Sequence, residues 1–593
     1  MLTDSKPANA EADSAPNWLP GGVWGGWGVS EAREAFVTTV ESGPSFIGRC
    51  PHIHIRRTVR QTPVTSAWRS KGGYNRIDVA GPCMVYAVGA RTQGDDYQAR
   101  VFWLNACRLL MPNSKVIRVV YENPDTLYFD DVAVYYKCDV AIERGEYCKS
   151  DHFQVKFHVD HSGRFSYQSL TDPAFLGVKK MSLLQRVHGF VGSHNDACRL
   201  YVVAPWGIED DDPLNKLVSC TGGEIRLRKL FSDESAMRKV REHWAGHLSV
   251  NDDESLKRWI RPIRMGINYP TLENLRSRLN ETLFSVGLKT IDDSHHHNPY
   301  DDLIRKMQQG GKTSFTKEEL IDLCKKEGLW VGQKAQDSER IGIRSFVRLA
   351  EHMEDETAHL LSLDDLFDER AINDVNAWND VIPQRLEEFV KTLKPGISYE
   401  LRLDAHSSVA FAAGRCLNPK QGMDVGTIQR VLGREALWKP ALDTQTARPE
   451  VVWEIESRVL HEDSKDVALV LNVSQDAATD VLAFIEKRPE IRRVVILSVL
   501  PGIGSTAIKD ANHCLQLAQA VSVILKQRPV TEREGILHIF AAAPNGFMFL
   551  LGQLSQGFGK TLLYEYDFDS SALGAYEPSI RFPFAKEGKH GLA

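Results

Sequence analysis

The run Leu403-Asp404-Ala405-His406-Ser407-Ser408-Val409-Ala410-Phe411-Ala412-Ala413-Gly414 carries a strand into a helix and decides the reading of the C-terminal half. A strand fits Tyr399–Leu403 and a helix fits about 406–416. Outward from it, strands fit Val451–Glu456, Val467–Val473, Val494–Val499, Leu537–Ala542 and Leu562–Tyr566, with helices near 477–487, 511–526 and 546–556. Strands alternating with helices argue for doubly wound α/β sheets. Such sheets take ligands where loops leave the carboxyl ends of their strands. Here those loops are Val473-Ser474-Gln475-Asp476, Leu500-Pro501-Gly502-Ile503-Gly504-Ser505 and Ala543-Pro544-Asn545-Gly546. Their small residues let backbone N–H groups approach an anion, and helix amino termini favour negative charge. Ser474, Gly504, Ser505, Pro544 and Asn545 are therefore candidate contacts, with Lys420 and Lys509 to pair with phosphates and Trp438 to stack a base. The plainer alternatives are core packing for Trp438, a backbone hydrogen bond for His406 and a solvated Lys509.

Toward the amino terminus, residues 205 to about 335 read as mostly helical. Thr316-x-x-Glu319 is a capping box before Leu320, Ile321 and Leu323, and Gly328 stands where that helix ends. With a helix near Tyr300–Met307, this is either a helix-turn-helix that reads DNA or a plain packing pair. His295-His296-His297 reads as a solvated loop, because consecutive residues do not converge on one ion. Residues 1–83 show no sustained period. Between Arg49 and Arg76 they hold seven Lys/Arg and no Asp or Glu, which suits a basic arm, a flexible extension, or sequence upstream of a start at Met84.

From Asp95 the order is helix (Tyr97–Met111), three strands (Val116–Tyr121, Val132–Lys137, His152–His158), helix (178–192) and strand (Leu200–Ala204). Hydrolysing a phosphodiester with a bound metal needs carboxylates for the ion and a cation for the charge that builds on phosphate. Phe129-Asp130-Asp131-Val132-Ala133-Val134 and Phe153-Gln154-Val155-Lys156-Phe157 meet that need. Asp131 stands at the mouth of the second strand. Gln154 and Lys156 are two apart on the third, so they project from one face.

Across 593 residues, 42% are apolar and 25% charged, enough for several ordinary cores. The net charge of −6 excludes a protein basic throughout but not a local DNA-binding cleft. Ten cysteines without a C-x-x-C pair argue against zinc knuckles and disulfides and suit a reducing compartment. No apolar run is long enough to span a bilayer and no signal pattern opens the chain, so the expected compartment is the cytoplasm. Gly311-Lys312-Thr313 and Gly559-Lys560-Thr561 end like a phosphate loop. The glycine required upstream is Lys306 in one and Leu554 in the other, so neither qualifies.

At Asp131, Gln154 and Lys156 the chain resembles the PD-(D/E)xK nuclease superfamily in its Mrr-like Q-x-K variant, across roughly 95–205. The resemblance implies Asp131 as the metal-binding aspartate, with Asp130 as its alternative. Gln154 and Glu122 become further ligands of Mg²⁺ (or Mn²⁺), and Lys156 the residue that positions water and steadies the transition state. The acid that many relatives carry on the first helix is missing, since Tyr97–Met111 offers only Gln98 and Asn105. The stretch beginning at Ile341-Gly342-Ile343-Arg344-Ser345-Phe346, with Leu403–Gly414, Trp438-Lys439-Pro440 and His538-Ile539-Phe540-Ala541-Ala542-Ala543-Pro544, resembles the SAVED domain, a pair of fused CARF-like Rossmann units that bind cyclic oligonucleotides.

That order of parts resembles the CBASS antiphage effectors, and it implies an α/β multidomain chain with a restriction-endonuclease-like core. The expected divisions are an extension (1–83), a nuclease domain (84–240), a helical connecting region (241–337) and SAVED (338–593). The expected activity is degradation of double-stranded DNA, switched on by a cyclic di- or trinucleotide and by self-association, ending in abortive infection. The alternatives are a ligand-sensing regulator with an inactive nuclease fold, and a restriction-type endonuclease independent of any second messenger.

Overall fold

Val116–Tyr121 (β1) forms as its β-branched sequence predicts. It pairs antiparallel with Val132–Tyr136 (β2). A small hairpin, Ala141–Glu143 (β3) and Glu146–Tyr147 (β4), leads to Ser150–Val155 (β5), antiparallel to β2. Cys198–Val203 (β6) runs parallel to β5, and Ile263–Gly266 (β7) parallel to β6. With Ser314–Phe315 (β8) on the far edge, the sheet order is β7-β6-β5-β2-β1-β8. These coordinates are a computed structural model, which describes residues 83–584 apart from internal stretches, the longest being 441–451. The readings of residues 1–82 lie outside the described residues. All described residues belong to one compact unit, Val79–Ala593.

Two helices flank this sheet. Cys83–Ala106 (α1) starts well before the expected Tyr97 and buries Tyr97, Phe102 and Trp103 completely. Leu183–Ser193 (α2) covers the other face with Leu183, Leu184, Val187 and Phe190, and Ser182 and Gln185 cap it as a reciprocal box. Each large buried side chain contributes roughly 1.5–3 kcal/mol of apolar burial.

The sequence boundary at residue 240 does not appear in the packing. β7 and β8 belong to the same sheet, and the helix Leu272–Ser285 lies against α1. The Pro299–Gln309 and Lys317–Lys326 helices do form, with the Thr316–Glu319 box at the second. They pack as a pair into the core. Tyr300, Leu303, Ile304, Leu320 and Cys324 pack into the core with Phe102 and Trp103, and Trp103 Nε1 donates to Tyr300 O at 2.7 Å.

The C-terminal half is built as two sheets. The first has order β10-β9-β13-β14-β15, from Glu339–Arg344 (β9), His359–Ser362 (β10), Ser398–Asp404 (β13), Asp424–Val431 (β14) and Arg434–Trp438 (β15). A minor pair, Phe367–Asp368 (β11) and Ala371–Ile372 (β12), stands apart from it. The second has order β16-β18-β17-β19-β20-β21, from Trp453–Val459 (β16), Asp466–Asn472 (β17), Ile491–Val499 (β18), Leu537–Ala542 (β19), Thr561–Tyr566 (β20) and Tyr576–Phe582 (β21). Their centres are parallel, as alternation predicts.

The helices that follow β13 and β19, Ser407–Cys416 and Asn545–Gln553, cross at glycines. A Cβ on Gly414 would clash with Phe549 O, and one on Gly552 would clash with Phe411 O. This reciprocal contact relates the two halves and sets both helix amino termini side by side. Among the described residues, no helix is long and apolar enough to cross a membrane.

Candidate functional site

The carboxylates at the end of β1 and the start of β2 are brought together by backbone pairing. Glu122, with φ of 48°, donates its N–H to Asp131 O at 2.9 Å, and Asn123 N donates to Asp130 O at 2.6 Å. The Asp131 Oδ2 accepts from Gln154 Nε2 and from Val155 N–H, each at 2.5 Å. Burial pushes the Asp131 carboxyl up to about 6, and Asp130 adds to that. Lys156, Val155 N–H and Gln154 pull it the other way. Lys156 is lowered by burial and by Arg186, against the attraction of Asp131 and Asp130. Gln154 and Lys156 share the face opposite Phe153 and Val155, which enter the core.

Gln154 spends its amide on neighbours, because its Oε1 accepts from Arg186 Nη1 at 3.0 Å. In this arrangement it holds Asp131 and Arg186 in place and does not present a spare oxygen. Glu122 is at the exposed rim, where Gln98 Nε2 on α1 donates to it at 2.9 Å. Gln98 thus stands where an acid was looked for. Among the described residues Glu122, Asp130 and Asp131 do not converge as a trio of metal-ligand spacing. The trio that does, His352, Glu354 and Asp355, is committed to arginines: Glu354 to Arg344 and Asp355 to Arg108, each at 2.9 Å.

Arg186 was not singled out from sequence. Its signal was a cation on the buried face of α2, where the helical period otherwise places Leu183, Val187 and Phe190.

The second feature is a cavity of about 850 Å³ where the carboxyl ends of β13, β17 and β19 meet. Ser474, Pro544 and Asn545 line it as expected, and Asn545 Nδ2 donates to Ala405 O at 2.7 Å. The other five candidates lie outside it. Trp438 is 4% exposed and packs beneath Gly546, so it is core rather than a stacking platform. Lys420 reaches Gln556 Oε1 at 3.4 Å on the outside. The loop with Gly504 and Ser505 folds back onto Val473 O, and Lys509 is exposed beyond it. His406 takes its plain alternative, with Nε2 against Arg370 O at 3.0 Å.

The positive charge of the cavity comes instead from arginines that no motif marked. Arg348 pairs with Asp404 at 2.8 Å, Arg402 with Glu351 at 2.6 Å, and Arg430 also with Glu351. Arg370 differs. Among the described residues no carboxylate lies within ion-pair distance of it, and its guanidinium sits 4.9 Å from the Phe346 ring centre and 5.1 Å from that of Phe568. Burial lowers its pKa, with Glu565 opposing.

A chain of charge joins the cavity and the N-terminal sheet. Glu351 serves the cavity arginines, while Asp355 accepts from Arg108 Nε at 2.9 Å and Lys115 N at 2.6 Å. Arg108 also donates to Tyr136 Oη at 2.8 Å, and Tyr136 donates to Asp151, which Arg199 holds at 2.7 Å. Asp151 stands three residues before Gln154 on β5.

Two parallel-centred units around one arginine-lined cavity define a ligand-sensing module. Residues 382–582 match the family described as "SAVED: SMODS-associated and fused to various effectors sensor domain". The chain is 32% identical over 506 residues to the CD-NTase-associated protein 4 of Enterobacter hormaechei subsp. hoffmannii (strain UCI 50), covering 84% of this chain and all of that protein. The chain belongs to the CD-NTase-associated protein 4 family and is a Cap4-like CBASS effector with a C-terminal SAVED sensor domain. A solved Acinetobacter baumannii Cap4 SAVED/CARF-domain containing receptor with the cyclic trinucleotide 3'3'3'-cAAA is similar at 14% identity, over 82% of this chain and 98% of that one, with a TM-score of 0.33. The corresponding Moraxella osloensis receptor is 12% identical over 82% and 99%, with a TM-score of 0.29.

Proposed function

We propose that this protein is an antiphage effector nuclease. A cyclic di- or trinucleotide in the SAVED cavity switches on hydrolysis of double-stranded DNA at Asp131 and Lys156, and the loss of DNA aborts the infection. The observation that carries the reading is the junction between the start of β2 and the end of β5. A sheltered aspartate with a raised pKa is held by Gln154 and Val155 N–H and faces a lysine whose own pKa is lowered. The order helix, three strands, helix, strand around it supports a restriction-endonuclease-like core of the Mrr type.

The chemistry of Asp131 suits a hard divalent cation. Both protein donors to Asp131 converge on Oδ2, and the carboxyl is under-compensated, with Asp130 adjacent. Asp131 would hold Mg²⁺ or Mn²⁺; Asp130 and Glu122, which do not converge with it in this structure, would have to close in to complete the set. When bound, the ion acidifies water and screens the scissile phosphate. Lys156 directs its ammonium at the reacting centre, orienting the attacking water and stabilising the charge on the pentavalent phosphorus as the P–O bond to the leaving oxygen breaks. Gln154 fixes Asp131 so that this geometry exists before DNA arrives.

In the cavity, Arg370 is the cation left to meet a phosphate, and Phe346 and Phe568 are faces on which a base stacks. The ligand activates by binding the active assembly better than the resting one, with self-association as the form that assembly takes. The cytoplasm is where such a protein meets both ligand and DNA.

The test is plasmid degradation by the full chain with Mg²⁺, with and without a panel of cyclic di- and trinucleotides. Cleavage that needs one of them, and that Lys156→Ala abolishes, supports the assignment. If no nucleotide provokes cleavage, or Lys156→Ala cuts as well as the parent, the reading is wrong.

A further inference from the structure

Arg186 is an unusual arginine. It is 7% exposed, lies on α2 within the electrostatic reach of Asp130, Asp131 and Lys156, and forms no ion pair among the described residues. Gln154 Oε1 is the acceptor its guanidinium has, and its Nε–H is buried with no partner at all. A buried donor without an acceptor forfeits the hydrogen bond that water would have given it. A buried guanidinium normally fills its fork with carboxylate. Two aspartates are at hand, and they do not pair with it.

We infer that Arg186 is a further catalytic residue of this site, whose unfilled donors receive a non-bridging oxygen of the scissile phosphate. The inference rests on the nuclease reading of Asp131 and Lys156 and adds the group that grips the substrate itself. The planar fork of an arginine suits a phosphate, and its bond to Gln154 fixes the fork in position. A phosphate brought between Lys156 and Arg186 completes the hydrogen bonding that the free protein leaves open. The pairing also explains why Gln154 faces its oxygen to Arg186 and its nitrogen to Asp131: one amide orients the acid and the phosphate clamp together.

The rival role is purely structural, with Arg186 only holding the Gln154 amide. Arg186→Gln separates the two, since a glutamine donates to Gln154 but carries no charge, and Arg186→Lys keeps the charge without the fork. Both variants are compared with the parent and Lys156→Ala for nucleotide-activated plasmid cleavage. Each is also titrated, without divalent ions, with a short fluorescent duplex at several salt concentrations, and thermal unfolding shows which variants fold.

A phosphate contact predicts cleavage by Arg186→Gln reduced by about 10²–10³-fold, Arg186→Lys in between, and a salt dependence of duplex binding shallower by about one charge in Arg186→Gln. Arg186→Gln cutting at the parental rate with an unchanged salt slope overturns the inference while Lys156→Ala still defines the nuclease. A parent that never cuts overturns the nuclease reading and this contact with it. If Arg186→Gln fails to fold, Arg186→Lys decides alone: parental cleavage overturns the fork, and a loss of tenfold or more with normal unfolding upholds it.

Discussion

Asp131 and Glu351 are both sheltered carboxylates, one in the N-terminal sheet and one beside the sensor cavity, and their pKa values move in opposite directions. Burial raises both. At Asp131 the neighbouring cation, Lys156, is itself weakened by burial, and Asp130 adds like charge, so the acid ends near 6. At Glu351 burial is outweighed by Arg430, Arg402 and Arg348, which hold the carboxyl well below the ordinary range. One site is short of positive charge and is suited to recruit it. The other has arginines already balanced by acids, so an anionic ligand entering there must compete for them. The difference is the one the proposed function uses, with a cation expected at the first region and an anion at the second.

The largest expected effect breaks the catalytic side alone. Asp131→Asn or Lys156→Ala should cut nucleotide-activated DNA degradation by about 10²–10⁴-fold. Calorimetric binding of the cyclic nucleotide should stay unchanged, and a change there would mean the two regions are not separable. Next comes the link between them. Asp355→Ala strands the fully buried Arg108 and should lower unfolding free energy in urea by about 3–5 kcal/mol. A loss under about 1 kcal/mol would show that Asp151 and Tyr136 suffice for that arginine.

On the sensor side, Arg370→Ala should weaken ligand binding by about 1.5–3 kcal/mol, whereas Lys420→Ala and Lys509→Ala should leave it within about twofold. Isothermal titration of the three variants decides which cation meets the phosphates.

The smallest effect is on pH. A raised folded pKa gives Asp131 a stabilising contribution that is present at low pH and lost as pH rises through about 6. The metal-free parent should therefore lose on the order of 1–2 kcal/mol relative to Asp131→Asn between pH 4 and 7. Glu351 has the opposite sign: its contribution is present at neutral pH and lost as pH falls below the ordinary carboxylate range, so Glu351→Gln should converge with the parent only in acid. Denaturation curves at several pH values would show the two slopes, and equal slopes would undo the comparison.

Much of this was legible in the chain because it is local. The strand Leu537–Ala542 and the Thr316–Glu319 capping box form as read, since β-branched runs and caps act over a few residues. Asp131, Gln154 and Lys156 come together because strand pairing and a two-residue period place them. The misplacements are all of one kind. Trp438 is core, the helices at 299–326 pack into the core of the N-terminal sheet across the expected boundary at 240, and Lys420 and Lys509 lie outside the cavity. A residue type states what a side chain can do, but which surface covers it depends on partners far along the chain.

The sequence by itself determined the alternating architecture of the C-terminal half, the family it resembles, and the strands that bring Asp131 and Gln154 together. Only the tertiary structure decided that Arg186 reaches Gln154, that Arg370 stands between two aromatic rings, and that Asp355 ties Arg108 to the segment beside the cavity. The reason is range. Periodicity and strand pairing are fixed by neighbours in sequence, whereas the charge state and partner of a buried side chain are fixed by residues tens to hundreds of positions away.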